Sequence, residues 1–479
     1  MTPVSILLVV VGYFSLLLLI SYFTGRKADN KDFFVGNKQS PWYIVAFGMV
    51  GASLSGVTFI SVPGWVESID FTYMQMVLGY MLGYVVVANL LLPLYYKLNL
   101  TSIYTYLQNR FGKVSYKTGA SFFLLSRTIG AAFRLFLMAN VLQITVFDAW
   151  NIPFTITVLI TILLIWLYTF RGGIKTIIWT DTLQTMFMLL AVVVSIYLIM
   201  NRLNLGFTDL YNSVADSGYS KIFEFKDWGS KQHFLKQFFT GAFITIVMTG
   251  LDQDMMQKNL SCKNIKEAKK NMYWYGFAFI PANLLFLLLG ALLLMYAQHE
   301  GIAIPIRGDD LFPLLATRYL GPVVSLFFLV GLLAAAYSSA DSALTSLTTS
   351  FTVDILGADE QNEHETTKLR KGSHVLFSFL LLVVILIFRA INDESVIAAI
   401  FTVAGYTYGP LLGLYSFGLF TKYQVKDKYV PLVAILSPLI CYVLKDNAEV
   451  WFHYPIGFEL LMYNGFITFA GLYLIRKRT

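Results

Sequence analysis

The sequence predicts an all-α integral membrane fold of about thirteen transmembrane helices. Of its 479 residues, 57% are hydrophobic and only 13% charged, and the mean hydropathy is +0.65, far from the balance of a water-soluble domain. Apolar runs of the roughly 20 residues that cross a bilayer recur along nearly the whole chain and leave no stretch for a soluble domain. A single transmembrane domain over 1–479 is therefore expected, with the lipid bilayer as its surroundings.

The first span, 3–23, has no basic segment before it and is followed by GRKADNK rather than a small-residue cleavage site, so a retained helix is expected and not a signal peptide. The second, 43–64, is rich in Gly and Ser. Spans at 72–96, 118–146 and 152–170 are apolar, the middle one carrying Arg127 and Arg134. The sixth, 177–200, follows RGG and holds Asp181. After the polar loop 201–233 come 234–252 and 272–297, then 321–350 with its hydroxyl-rich end. Spans at 374–391, 396–420, 428–444 and 455–475 complete the set.

Lysine and arginine set the orientation. With the N-terminus outside, the inward loops hold Arg26, Lys27, Lys31 and Lys38, then Lys97, Arg110, Lys113 and Lys117, then Arg171 and Lys175. They also hold the lysines from Lys258 to Lys270, then Lys368, Arg370 and Lys371, then Lys422, Lys426 and Lys428, and Arg476 to Arg478. A multi-pass protein of the plasma (inner) membrane is expected, N-terminus outside and C-terminus cytoplasmic. The net charge of +7 follows from these loops and calls for no nucleic acid. Cys262 and Cys441 fall on different elements and predict no disulfide. The five histidines are scattered over loops and span ends with no HExxH-like spacing, so a metal-dependent enzyme lacks its ligands.

Four places break the apolar pattern, and an unpartnered polar group in lipid costs several kcal/mol. The stretch GMVGASLSGVTFISVPG, Gly48–Gly64, lowers helix propensity at mid-membrane depth. It predicts either close helix packing or a local unwinding that frees carbonyls such as those of Gly51 and Leu54 for a cation. Asp181, about one turn into its span, predicts a functional carboxylate or one that reaches water or Lys175 at the inner interface. In AAAYSSADSALTSLTTS, Ala334–Ser350, hydroxyls recur at intervals of three and four beside Asp341. Hydroxyls on a helix can bond to the preceding turn, but Asp341 cannot, and a face of hydroxyls with one carboxylate suits a hard cation such as sodium. Arg127 and Arg134, seven apart, share a helix face and need counter-charges, either aspartates or an anionic solute.

Taken together, GG-x5-W-T-D-x2-Q at Gly172–Gln184, GASLSGVT at Gly51–Thr58, AAxxSS at Ala334–Ser339 and DQxxxQ at Asp252–Gln257 resemble the sodium/solute symporters, carriers of sugars, proline, monocarboxylates and sialic acid. The resemblance covers essentially the whole chain and agrees in motif order. It implies the leucine-transporter type fold: one leading helix, inverted five-helix repeats over approximately 43–200 and 234–420, and two trailing helices. It implies a secondary active symporter, no enzyme, coupling inward flow of one or two Na+ ions to uptake of a small polar solute by alternating access.

Residue by residue, the resemblance assigns a common sodium site to the carbonyls of Gly51, Leu54 and Ala335 and the hydroxyls of Ser338 and Ser339. A second sodium site found in some members falls on Asp181, Asp341 and Ser342. Here the chain departs from the pattern, since Asp341 replaces a serine and two nearby carboxylates need a shared cation or a proton. The positions that contact sugar in the sugar branch fall on Met248, Thr245, Phe279 and Thr402, so that contact set is missing. Ser53, Ser55, Thr58, Phe71 and Gln75 fit the sialic acid branch, with its arginine on Arg134 or Arg127. An anionic solute is expected, sialic acid first and another carboxylate second, because hydroxyls, a half-helix N-terminus and arginine suit a carboxylate. The alternatives are a sodium/sugar symporter, or a proton-coupled carrier of the same fold using Asp181 and Asp341. A passive channel would need a continuous polar pore rather than breaks clustered near one depth.

Overall fold

The computed structural model describes residues 3–25, 33–34, 38–358, 362–391 and 395–477. Arg26, Lys27, Lys31 and Arg478, and the side chains of Arg171 and Lys175, lie outside the described residues. Within them the chain is helical, with no named β-strand.

The chain opens with α1 (Pro3–Gly25), followed by α2 (Trp42–Ser53) and α3 (Gly56–Ile69), α4 (Tyr73–Lys97), α5 (Lys113–Trp150), α6 (Phe154–Thr169) and α7 (Thr176–Arg202). The second half runs through α8 (Phe234–Gly250) and α9 (Gln253–Leu260), α10 (Ile265–His299), α11 (Pro322–Ile355), α12 (Glu363–Ile391), α13 (Val396–Thr407) and α14 (Gly409–Phe420). It ends with α15 (Val430–Phe452) and α16 (Leu460–Leu474). Among the described residues eight helices are long and apolar enough to cross a membrane, up to eleven if each bent pair is one span; α6 and α16 are shorter apolar helices. Their outer faces stay apolar where nothing packs on them: Phe23, Phe277, Phe379 and Phe466 are exposed, as lipid-facing side chains are.

Three pairs are bent: α2–α3 by 54°, α8–α9 by 63° and α13–α14 by 44°. Each bend has a local cause. At the first, two serines and two glycines flank Leu54, and both glycines are wedged against neighbours. A Cβ on Gly51 would lie 1.9 Å from Thr185 Oγ1 of α7, and one on Gly56 would lie 3.3 Å from Ala336 Cβ of α11. At the second, Asp252 stops one helix and caps the next, its Oδ1 accepting from the amides of Asp254 at 2.9 Å and Met255 at 3.3 Å. At the third, Pro410 removes a donor, and Asn464 of α16 donates instead to the carbonyls of Gly405 at 2.9 Å and Tyr406 at 2.8 Å.

The α8–α9 bend corrects an expectation. Polarity placed Lys258 in an inward loop, whereas it lies on α9 with every residue of that half-helix buried. The run DQDMMQKN reads as loop because polarity ordinarily means water; here the polar atoms find protein partners. Gln253 bonds to Ile103 N and Thr101 O, and Gln257 bonds to Phe34 O and Thr349. His374, expected at a span end, sits within α12, buried and 3.2 Å from Thr169 Oγ1 and 3.0 Å from Thr348 Oγ1. Cys262 and Cys441 are buried free thiols. At the centre, α11 is buried along its entire hydroxyl-rich half and packs on α5, α6 and α7.

Candidate functional site

The site grows from the two bends that face α11. Because α2 ends at Ser53, its last carbonyls have no N–H one turn ahead to accept from. Val50 O accepts from Leu54 N at 2.8 Å, and Ala52 O accepts from the Ser339 hydroxyl at 3.1 Å. Ser339 also lies 3.3 Å from Ala335 O. Ala52, Ala335 and Ser339 thus meet at one contact between the α2 terminus and α11, with Gly51 and Leu54 within two residues of Ala52 along the chain, an all-oxygen setting compatible with a hard cation. Among the described residues no three His, Cys, Asp or Glu side chains assemble as metal ligands.

Ser338, assigned with these groups, turns its hydroxyl to Asp181 Oδ1 at 2.6 Å. The other Asp181 oxygen accepts from Lys258 Nζ at 2.7 Å, and both side chains are almost completely buried. This ion pair is the main feature that sequence reasoning missed. Lysine in a polar run beside other lysines looks like an inner-loop charge. The available signal was the four aspartates at depth, Asp181, Asp252, Asp254 and Asp341, which demand cations.

The three residues expected to form the second sodium site have separate partners in this conformation. Asp341 Oδ2 accepts from the Tyr168 hydroxyl at 2.7 Å and Oδ1 from Ser342 N at 2.5 Å. Ser342 donates its hydroxyl to Asp254, which also pairs with Arg127. Arg127 is therefore held by an aspartate, the structural alternative for that residue. Asp252 accepts from the Tyr408 hydroxyl. Lys258 lies in the field of Asp254 and Asp341 as well as Asp181.

Around the bends, four carboxylates (Asp181, Asp252, Asp254 and Asp341) face three cations (Arg127, Arg134 and Lys258), leaving one formal negative charge. Asp252 and Asp341, whose hydrogen-bond donors are tyrosine hydroxyls and backbone amides, are the two of these carboxylates without an ion-pair partner among the described residues.

A cavity adjoins these groups. Ser53, Ser55, Thr58, Arg127 and Arg134 line it together with Tyr80, Tyr84 and Tyr275. Ser53 shares a 2.6 Å hydrogen bond with the Tyr275 hydroxyl. Arg134 makes no ion pair or hydrogen bond with the described residues, and its Nε is buried. Thr245, Met248 and Phe279 also line the cavity, so the positions that distinguish the sugar contact set face the same space. Thr402 does not; it lines a separate cavity. Phe71 and Gln75 are buried outside the central cavity. Gln75 donates to Gln232 O at 2.8 Å and Thr72 O at 3.2 Å and accepts from Glu224 N at 3.0 Å, tying the 201–233 loop to α4.

A sequence model of the sodium:solute symporter family matches residues 33–426. The sodium/sialic acid symporter NanT of Aliivibrio fischeri is 26% identical over 472 residues, covering 93% of this chain and 89% of the relative. The sodium/sialic acid symporter SiaT of Proteus mirabilis is 26% identical over 96% of this chain and 94% of its own length. The sodium-dependent multivitamin transporter of Oryctolagus cuniculus is 26% identical over 83% of this chain and 62% of its own. Among solved structures, a Na+-coupled sialic acid symporter in a substrate-bound outward-open state superposes with a TM-score of 0.83 at 20% identity over 99% of both chains. A nucleobase-cation-symport-1 family transporter in a closed conformation gives 0.54 at 13% identity over 91% of both. These structural likenesses are of fold, and the fold is the leucine-transporter type.

Proposed function

The chain belongs to the sodium:solute symporter family, and from that premise we propose that it takes up a small carboxylate, in the first instance a sialic acid, together with sodium by alternating access. The observation that carries the solute class is Arg134, a guanidinium lining the central cavity with no carboxylate partner among the described residues. A solute carboxylate can accept two parallel N–H donors from it, while Ser53, Ser55 and Thr58 offer hydroxyls to the polar body. Arg127, already committed to Asp254, contributes field rather than a free fork. Phe71 and Gln75 are proposed contacts only for a conformation in which Gln75 releases the loop. The names of the two bacterial relatives agree with a sialic acid.

One sodium is proposed at Gly51, Leu54, Ala335, Ser338 and Ser339, and a second at Asp181, Asp341 and Ser342. Formal charge supports two ions. A solute carboxylate added to the surplus negative charge leaves two charges that two sodium ions neutralise, whereas one ion would strand a negative charge in a low-dielectric interior. Binding at the second position asks Lys258 to loosen its hold on Asp181, with Asp254 as a nearby alternative partner. We further propose thirteen spans, counting α6, α16 and each bent pair, with repeats over about 43–200 and 234–420. The N-terminus then lies outside and the C-terminus in the cytoplasm, in the inner membrane.

A thermal-shift screen of the purified protein against N-acetylneuraminic acid, monocarboxylates and neutral sugars, with sodium or potassium, tests the proposal. Stabilisation by a carboxylate in sodium alone is expected. Stabilisation by neutral sugars and by no acid would overturn the solute class.

A further inference from the structure

A second cavity lies beyond the central one, on the side of the 201–233 loop, which is the outer face in the proposed orientation. Three elements, α3, α4 and α8, place it there, and on a fourth, α13, the two cavities take different faces of the helix. On α3 the central cavity takes Thr58 and the second takes Trp65 and Ile69; on α4 the central one takes Tyr80 and Tyr84, and both share Tyr73. On α8 the central cavity takes Thr245 and Met248, about two turns past the Gln237 that lines the second. On α13 the second takes Ser395, before the helix, with Ala398 and Thr402, while Ile397, Ile400 and Phe401 face the centre.

An aromatic layer stands between the two. Trp65 is 5.7 Å from Tyr73, 6.4 Å from Phe401 and 6.3 Å from Phe458, to which it is stacked at 22°. Phe401 and Phe458 are 5.2 Å apart. Trp65 Nε1 donates to Ser395 Oγ at 3.1 Å, fixing the indole across the passage. A solute entering the central cavity from this side would pass through this chamber and this layer.

The charged side chains that line the chamber are cationic, while Glu459, next to the lining residues Gly457 and Phe458, accepts from the Tyr454 hydroxyl at 3.0 Å. Lys231 and Lys445 line it, and neither pairs with a carboxylate among the described residues. Behind it Lys236, 5% exposed, holds its Nζ without a hydrogen-bond partner, 4.0 Å from the Tyr454 ring centroid and 5.5 Å from that of Trp228. Gln75 anchors the wall through Gln232, another lining residue. A cavity of lysine and amide groups floored by an indole and a phenyl ring matches a small carboxylate with a polar ring body.

We propose that this chamber is a second, outer solute site, at which Lys231 and Lys445 hold the carboxylate of an acidic solute before the aromatic layer admits it to Arg134. The proposal rests on the carboxylate reading above and goes beyond it, because it assigns a separate and weaker site that needs no sodium. Opposed charges at a rim govern capture rate and salt dependence more than final affinity. The Lys231→Gln/Lys445→Gln double variant is therefore expected to raise KM for uptake of radiolabelled N-acetylneuraminic acid about threefold or more at low ionic strength, with kcat unchanged and the difference vanishing at high salt. The Lys231→Arg/Lys445→Arg variant is expected to restore wild-type KM.

Equilibrium binding of the same probe to full-length protein in nanodiscs separates the sites. The Arg134→Gln variant is expected to keep a weak, sodium-independent, salt-sensitive component that disappears when Lys231→Gln and Lys445→Gln are added. If Arg134→Gln abolishes all binding while wild type binds in sodium, the outer site does not exist and the carboxylate proposal stands. If wild type itself binds no carboxylate, the carboxylate proposal fails first. An unchanged KM in the double lysine variant also overturns the outer site.

Discussion

Lys258→Met tests the buried ion pair on which the second-site argument depends. The change removes an ammonium 2.7 Å from Asp181 Oδ2 in a place where the two side chains are 1% and 0% exposed, so water cannot replace it. The Ser338 hydroxyl already donates to the other oxygen and offers no further compensation. Removing one partner of a buried pair costs about 3–5 kcal/mol, because the remaining charge stays desolvated. The stranded Asp181 and Asp341 should then attract sodium more strongly, and a ligand at one hundred times its Kd contributes about 2.7 kcal/mol. The variant is therefore expected to lose about 3–5 kcal/mol in potassium and to recover a large part of it in saturating sodium. The Asp181→Asn/Lys258→Met double variant, with no stranded charge, should lie closer to wild type than Lys258→Met does. Unfolding of the purified protein in detergent, followed in NaCl and in KCl, reads all three. A Lys258→Met protein as stable as wild type, or a double variant no better than the single, would refute the reasoning.

Four further outcomes are expected. Arg127→Gln leaves Asp254 buried and unpaired and should destabilise by about 3–5 kcal/mol in the same unfolding assay. Arg134→Gln breaks no ion pair, so stability should hold while affinity for N-acetylneuraminic acid falls by about 1.5–3 kcal/mol, the worth of hydrogen bonds to a charged group; titration calorimetry in sodium measures it. Gly51→Ala drives a methyl group into Thr185, where overpacking costs about 1–3 kcal/mol, and should weaken sodium activation of uptake as the α2 terminus shifts. Asp341→Asn should lower the sodium Hill coefficient of uptake, and an unchanged coefficient with unchanged sodium dependence would remove Asp341 from the ion site.

Much of the fold was legible because bilayer physics writes itself into composition. Unbroken apolar runs gave their helices to within a few residues at α1, α4 and α6, and the Gly- and Ser-rich segment at Gly51–Thr58 marked a real bend. The α9 half-helix was not legible. Its Asp252, Gln253, Gln257 Nε2 and Lys258 bond to Tyr408, Thr101, Thr349 and Asp181, and no partner among these is local in sequence. Hydropathy scores a polar atom by its own chemistry and cannot see a partner nearly eighty residues or more away. The same blindness left Arg127 undecided between an aspartate and a solute until Asp254 came to lie beside it. Gln75 fits the motif, yet its side chain holds the loop, because a helix position fixes a face and not the atom the side chain meets.

Uptake of radiolabelled N-acetylneuraminic acid into proteoliposomes containing only the purified protein bears most directly on the central claim. Under an inward sodium gradient the label should accumulate above equilibrium, collapse when sodium is equalised, and fail to accumulate under a potassium or proton gradient alone. Accumulation under a proton gradient without sodium, or equal entry under sodium and potassium, would contradict the account.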